Sequence, residues 1–324
     1  MCKKRKGDIC MRGSVKSQVK QAIPSFVIII IMMILASILS EKFFTAANIR
    51  NVLTQTTVLS IVAVAQSMVL FIGGIDMSVS SVISISTIIM AMFSAKNGVT
   101  LTGAMALALA IGAVVGLVNG LGIKVFKIPA MIITISTQAF VKGICLILMP
   151  ASGGSVNTAF ASFVRQKIGV FSYAFILAGI MYVIMFLVLH KTRYGRDVYS
   201  VGNGELYAEQ SGINTKKVVI ITYVLAGMIA ASSGIILSAR IASGNPLVGD
   251  SYAMDSVAAA VVGGISMNGG VGSVIGALFG SIILSLINNM MNNLGISPYF
   301  QYIIKGALLM ISLMVFQIKR RKTA

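Results

Sequence analysis

Residues 52–72 read VLTQTTVLSIVAVAQSMVLFI, and residues 73–84, which follow directly, read GGIDMSVSSVIS. The first run carries no charge and has the length an α-helix needs to cross a bilayer core, roughly 20 apolar residues. Two glycines then interrupt it, and a Gly/Ser-rich helix start begins again behind Asp76. A related segment, GGISMNGGVGSVIG, stands at residues 263–276. Both place GGI, a polar residue, Met and a small polar residue ahead of a helix start ending in SVI, and the second copy has two extra residues. Two such segments in the two halves of the chain point to an internal duplication, of the kind that brackets the path in transport proteins. The competing reading is that small-residue membrane helices resemble one another because close packing selects them.

Outward from this stretch the same pattern recurs. Apolar runs occupy residues 23–40, 52–72, 78–95, 101–123, 129–149, 170–190, 217–239, 253–267, 271–292 and 299–318. The eighth is short and Gly-bounded, which fits a tilted, broken or re-entrant piece. The first is long and lacks an evident small-residue cleavage site, so it reads as a retained helix rather than a signal peptide. The 324 residues are 57% apolar and 10% charged, against about 25% charged in an ordinary soluble domain, and mean hydropathy is +0.94. These values exclude a soluble enzyme, a disordered chain, a collagen and a disulfide-stapled secreted module. The five prolines and the lack of alternating segments argue against a membrane β-barrel. The expected fold is an all-α polytopic membrane protein of about ten transmembrane helices in a multi-pass arrangement.

Charge sets the orientation. The formal net charge is +18. Ten spans place the basic tail 1–22, Lys124 and Lys127, the loop 191–217 and the C-terminal segment 319–324 on one face, with 18 of the 26 Lys and Arg; the other face holds 6, and Lys142 and Lys305 fall inside spans. The positive-inside rule makes the richer face, and both termini, cytoplasmic. The charge is therefore read as loop bias and not as a nucleic-acid footprint. The expected organisation is a basic cytoplasmic tail at 1–22, a transmembrane domain at 23–318 and a basic C-terminus at 319–324.

Little reactive chemistry is present. There is no HExxH, no Cys/His cluster and no GxxxxGK[ST], so neither a zinc site nor a phosphate cradle is expected, and no cofactor is implied. If ATP drives this protein, another subunit hydrolyses it. Cys2, Cys10 and Cys145 have no ligand spacing, and His190 lies at the end of a span. Gly112, Gly116, Gly120, Gly276 and Gly280 recur at four-residue spacing and are assigned to close helix packing. The ionisable residues in or beside spans, Asp76, Lys142, Asp255 and Lys305, are functional candidates by position. For both aspartates the sequence favours capping of a helix N-terminus over pairing with a lysine.

The longest hydrophilic connection, residues 192–217, exceeds what joining two spans requires. Its centre reads as a short helix bounded by Gly204 and Gly212, with Glu205 and Glu209 on one face and Leu206 and Tyr207 offering apolar area. Such a helix suits docking into a groove of a soluble partner; a solvated loop is the alternative.

Four segments carry a resemblance to a known family: residues 48–82 (NIRNVLTQTTVLSIVAVAQSMVLFIGGIDMSVSSV), 118–144 (VNGLGIKVFKIPAMIITISTQAFVKGI), 192–214 (TRYGRDVYSVGNGELYAEQSGIN) and 239–277 (ARIASGNPLVGDSYAMDSVAAAVVGGISMNGGVGSVIGA). In them the chain resembles the permease subunit of sugar-type ABC importers, in the branch that includes the ribose permease, from about Asn48 to the C-terminus. Met254 stands where the family has leucine, and Ser80 where it has glycine, which weakens the case for close backbone packing there.

The resemblance implies an inner-membrane subunit that works with a second copy of itself, a cytoplasmic ABC ATPase and an extracytoplasmic sugar-binding protein. It implies that Gly204, Glu205, Leu206, Tyr207, Ala208, Glu209, Ser211 and Gly212 contact the ATPase, with Glu205, Tyr207 and Glu209 foremost. Gly73, Gly74, Asp76, Ser78, Asp255, Gly263, Gly264, Ser266, Asn268 and Asn288 are the translocation or gating candidates. Asn119, Thr134, Ser136, Gln138 and Asn292 are further polar residues able to line a path or to bond neighbouring helices. Arg240 and residues 243–251 are expected outside, against the binding protein or solvent. The rival class is an ion-coupled secondary transporter with broken helices, which would need no ATPase.

Overall fold

The computed structural model describes residues 15–39, 43–94, 100–169, 171–297 and 299–307, with Met310 and Met314. The helices are α1 (Val15–Leu39), α2 (Ala46–Phe71), α3 (Val79–Phe93), α4 (Leu101–Lys124), α5 (Ala130–Leu148), α6 (Thr158–Arg165), α7 (Tyr173–Lys191), α8 (Arg193–Asn203), α9 (Glu205–Gln210), α10 (Thr215–Ile241), α11 (Asp250–Val262) and α12 (Val274–Asn293), and residues 299–307 are also helical. A two-stranded antiparallel hairpin, β1 (Lys167–Ile168) with β2 (Phe171–Ser172), precedes α7. Polar side chains start several helices. The Thr45, Thr100 and Asn214 side chains accept from the amides of Asn48, Gly103 and Lys217 at 3.3, 3.2 and 3.0 Å, satisfying donors that the first turn leaves free.

Six helices, α2, α4, α5, α7, α10 and α12, are long and apolar enough to cross a membrane, and α1 holds a shorter apolar stretch, Phe26–Ile38. The second, fourth to seventh and ninth apolar runs thus form full-length helices. The third and eighth do not. α3 has 15 residues, with Ser78 and Ser94 at its caps, and α11 ends at Val262 although the apolar run continues to residue 267. Gly264, Gly269, Gly270 and Gly272 take positive φ between 70° and 142°, conformations open to glycine and not to a continuing helix. α1 begins at Val15, so residues 15–22 of the expected tail are helical. Residues 1–14 and 319–324, and most of the last apolar run beyond residue 307, lie outside the described residues.

α2, α3 and α10 form the centre, and α4, α5 and α7 wrap it with apolar side chains outward, among them Val114, Ile132, Phe140, Ile147, Val183 and Ile184. Lipid is as apolar as a core, so such a surface is stable there. Glycines set the closest crossings. A Cβ on Gly112 would lie 2.4 Å from the Gly227 carbonyl oxygen, on Gly116 2.2 Å from that of Tyr223, and on Gly280 1.9 Å from that of Ala259. The four-residue glycine spacing is therefore a packing device. The backbone packs closely at Ser80 without a glycine there, because Gly249 provides the space from the other side. A Cβ there would lie 1.8 Å from the Ser80 carbonyl oxygen.

The loops sort to two ends. Residues 73–78, 124–129, 192–214 and 263–273 meet at one end, where Lys124 pairs with Glu205. At the other, Gly153 and Gly244 exchange backbone bonds of 3.0 and 2.8 Å, and Arg165 Nη2 donates to the Arg240 carbonyl at 2.9 Å.

Candidate functional site

The two GGI segments, far apart in sequence, lie against each other. The Gly270 amide donates to the Phe71 carbonyl at 2.9 Å, and a Cβ on Gly73 would sit 3.4 Å from the Asn268 carbonyl oxygen. α8 rests on both. A Cβ on Gly202 would lie 1.8 Å from the Phe71 oxygen and 2.5 Å from the Gly270 nitrogen. The Tyr199 hydroxyl donates to the Gly272 carbonyl at 3.2 Å, and its ring lies 4.9 Å from that of Phe71. Backbone thus meets backbone where α2, α8 and the 263–273 loop converge, and no side chain cushions a displacement of α8 at Gly202.

α9 forms the exposed tip of the same end. Gly204 and Gly212, at φ 158° and 81°, turn the chain on either side of it. The Glu205 carboxylate pairs with Lys124 in the last turn of α4. The Thr215 hydroxyl lies 2.6 Å from Glu209 Oε1 and 3.2 Å from Glu205 Oε1. Burial works to raise the Glu205 carboxyl, and Lys124 and Thr215 outweigh it and hold the group below the ordinary carboxylate range. Both glutamates are thus engaged by the chain itself. Leu206 and Tyr207 are 64% and 73% exposed, whereas Ala208, at 3%, packs in the core. Ser211 and Gly212 are exposed and Gly204 half-buried.

A polar lattice fixes the first GGI segment. Asp76 Oδ1 accepts from the Ser78 amide at 2.9 Å and hydroxyl at 2.6 Å. Asn119 Nδ2 donates to Ser78 Oγ at 2.9 Å, Thr137 donates to Asn119 Oδ1 at 2.7 Å, and Thr134 donates to the Ile75 carbonyl at 3.2 Å. Asp76 closes the turn ahead of α3 but does not cap the helix: the cap position is Ser78, which has no side-chain cap bond, and no amide of α3 itself donates to Asp76. Asn119 and Thr134 are fully buried in this lattice. Ser136 bonds to its own helix at the Ile132 carbonyl, and Gln138 Nε2 reaches Ser80 Oγ at 2.9 Å. In the second segment, the Ser266 side chain accepts from the Asn268 amide at 3.2 Å, while Gly263 packs its backbone on Gly276; Gly264 and Asn268 are exposed.

Gly73, Gly74, Asp76, Ser78, Gly263, Gly264, Ser266 and Asn268 are therefore brought together at the α8–α9 end. Asp255 and Asn288 are not with them. Both face a cavity toward the Arg240 end. Asp255 lies inside α11, past its first turn, and pairs with Lys305 at 2.9 Å, which overturns its expected capping role. Lys142 pairs with Asp250 at 2.6 Å. Tyr199 and Gly202, which join α8 to both GGI segments, carry no distinguishing mark in the sequence.

This bundle of lipid-facing helices around two broken ones is that of a multi-pass membrane transport component. The family model described as branched-chain amino acid transport system / permease component matches residues 48–313, and the chain belongs to this family. The ribose import permease protein RbsC of Escherichia coli (strain K12) is 35% identical over 299 residues, 90% of this chain and 92% of that one. That of Bacillus subtilis (strain 168) is 35% identical over 309 residues, 94% and 95% of the two chains. The fructose import permease protein FrcC of Rhizobium meliloti is 31% identical over 312 residues, 94% of this chain and 87% of its own. No solved structure matches. The protein is a multi-pass inner-membrane permease component.

Proposed function

We propose that this chain is the membrane-spanning subunit of an ATP-binding-cassette importer for a monosaccharide, ribose-like in the first instance. It has ten membrane segments with cytoplasmic termini, and it works as a pair with a cytoplasmic ATPase and an extracytoplasmic sugar-binding protein. The relatives' names favour a sugar over the amino acid in the family description. The observation that carries the mechanism is the seating of α8 on both GGI segments, with the exposed Leu206–Tyr207 pair next to it on α9. An ATPase that grips Leu206 and Tyr207 moves α9, and Gly204 and the α8 backbone pass that motion to Phe71 and Gly270. The loops at residues 73–78 and 263–273 then shift together, and with them α3 and α11. Gating at these loops opens the path alternately to the two sides.

The test is energetic. Radiolabelled ribose, galactose and fructose are offered to vesicles carrying the complete system. Uptake that stops with orthovanadate and persists after a protonophore agrees with this reading; uptake that collapses with the ion gradient and ignores orthovanadate refutes it.

A further inference from the structure

We propose that the cavity toward the Arg240 end, between α2, α11, α12 and residues 299–307, is a transit site that binds a neutral monosaccharide directly. The proposal rests on the importer reading and adds to it a site within this chain. The void measures about 240 Å³. That lies a little below the ~300 Å³ at which sites for drug-sized ligands begin, which is room for one sugar ring and not for a disaccharide.

Its walls are polar although membrane helices build them. Gln55 of α2, Ser285 and Asn288 of α12, Gln301 and the Asp255–Lys305 pair all face it. A polar void among membrane helices is unfavourable unless polar matter fills it. Two wall atoms state what is missing. Ser285 Oγ and Asn288 Oδ1 are buried and have no hydrogen-bond partner among the described residues, and a buried polar atom left so is destabilising.

Asn288 Oδ1 can only accept and Ser285 Oγ can both donate and accept, so a ligand that satisfies both brings at least one donor, which a hydroxyl supplies. A carboxylate or phosphate brings acceptors only and would face the Asp255 carboxylate. An inorganic cation would meet Lys305 and Arg240. A sugar hydroxyl both donates and accepts, and it suits amides, a serine and an ion pair that largely neutralises itself. The wall residues Ser251, Arg240 and Asn292 lie in the terminal turns of α11, α10 and α12, so the cavity lies at the end opposite α8–α9, where a sugar from an outside donor arrives.

The experiment uses the full chain with its ATPase in lipid nanodiscs. Cys2 and Cys10 are replaced by serine, and the buried Cys145 is kept. Ser285→Cys and, separately, Asn288→Cys are labelled with a small methanethiosulfonate while D-ribose, D-xylose, L-arabinose, D-galactose or D-fructose is titrated in. At least one sugar should slow labelling by about threefold or more once it exceeds ~2 times its dissociation constant. Ser162→Cys, on the exposed face of α6, should label at an unchanged rate. If no sugar protects either cysteine while the ATPase stays bound, the transit site is refuted and the importer reading stands. Equal slowing at Ser162→Cys, or no labelling at either cavity position in preparations that retain the ATPase, also refutes the site. Protection in a chain that never binds an ATPase keeps the site and refutes the importer reading.

Discussion

Gly202 and Phe71 meet backbone to backbone: a Cβ on Gly202 would fall 1.8 Å from the Phe71 carbonyl oxygen. This contact joins α8 to the end of α2, where the first GGI segment begins. A side chain at 202 must push α8 off the loops, since neither side is the flexible end of a side chain. Gly202→Val should therefore reduce uptake at least ~10-fold, the equivalent of about 1.4 kcal/mol in coupling, while membrane insertion persists. Gly143→Ala is the control. Nothing lies within 4 Å of that position in α5, and the change should be neutral or stabilising by up to ~1 kcal/mol. Uptake assays beside melting curves in detergent distinguish the two.

Leu206 and Tyr207 should dominate partner docking. Exposed aromatic anchors carry a disproportionate share of interface energy, whereas Glu205 and Glu209 already bond to Lys124 and Thr215. Tyr207→Ala should weaken ATPase binding by about 10-fold, and Glu209→Gln by less. Titration of the purified ATPase onto the immobilised complex measures both.

The α9 tip should loosen in acid. Glu205 has its carboxyl lowered by Lys124 and Thr215 against the opposing effect of burial. A group with a lowered folded-state value stabilises the fold fully above its unfolded value, and that contribution is lost as pH falls through the folded value. Residues 204–217 should stay protected at neutral pH and lose protection progressively as pH falls from the ordinary glutamate value through the lowered folded-state one. Hydrogen exchange followed by mass spectrometry reads this, and Glu205→Gln should flatten the profile and expose the segment at all pH values.

The Asp255–Lys305 pair should behave as a buried ion pair. Its side chains are 10% and 17% exposed. Asp255→Asn or Lys305→Met alone leaves an uncompensated charge and should cost about 3 kcal/mol, as breaking such pairs does. The double variant should recover most of the loss. Thermal melts of the three variants in one detergent test this, and a double variant no better than the singles would refute pairing as the source.

The helices were legible because membrane length and hydropathy leave few choices: α2, α4, α5, α7, α10 and α12 each overlap an apolar run of the sequence over most of its length. The boundaries of α9 were legible too, since glycine is the residue that turns a chain at the φ of Gly204 and Gly212. The reach of α8 was not. Its RYGRDVYSVGN sequence has a polar outer face and no lipid signal, so it read as part of a loop. Nor could the sequence reveal that the two GGI segments touch, because about 190 residues separate them and only tertiary packing closes the gap. Asp255 was misjudged for the same reason. Its partner Lys305 lies 50 residues on, and local pattern favoured a cap where a distant charge decided the matter.

Co-purification from the native membrane tests the central claim most directly. The wild-type chain and a Leu206→Asp/Tyr207→Asp variant are extracted in mild detergent, and bound proteins are identified by mass spectrometry. A P-loop ATPase held in stoichiometric amount by the wild type and lost from the variant is the predicted result. An ATPase absent from the wild type across several mild detergents, or retained equally by the variant, would contradict it.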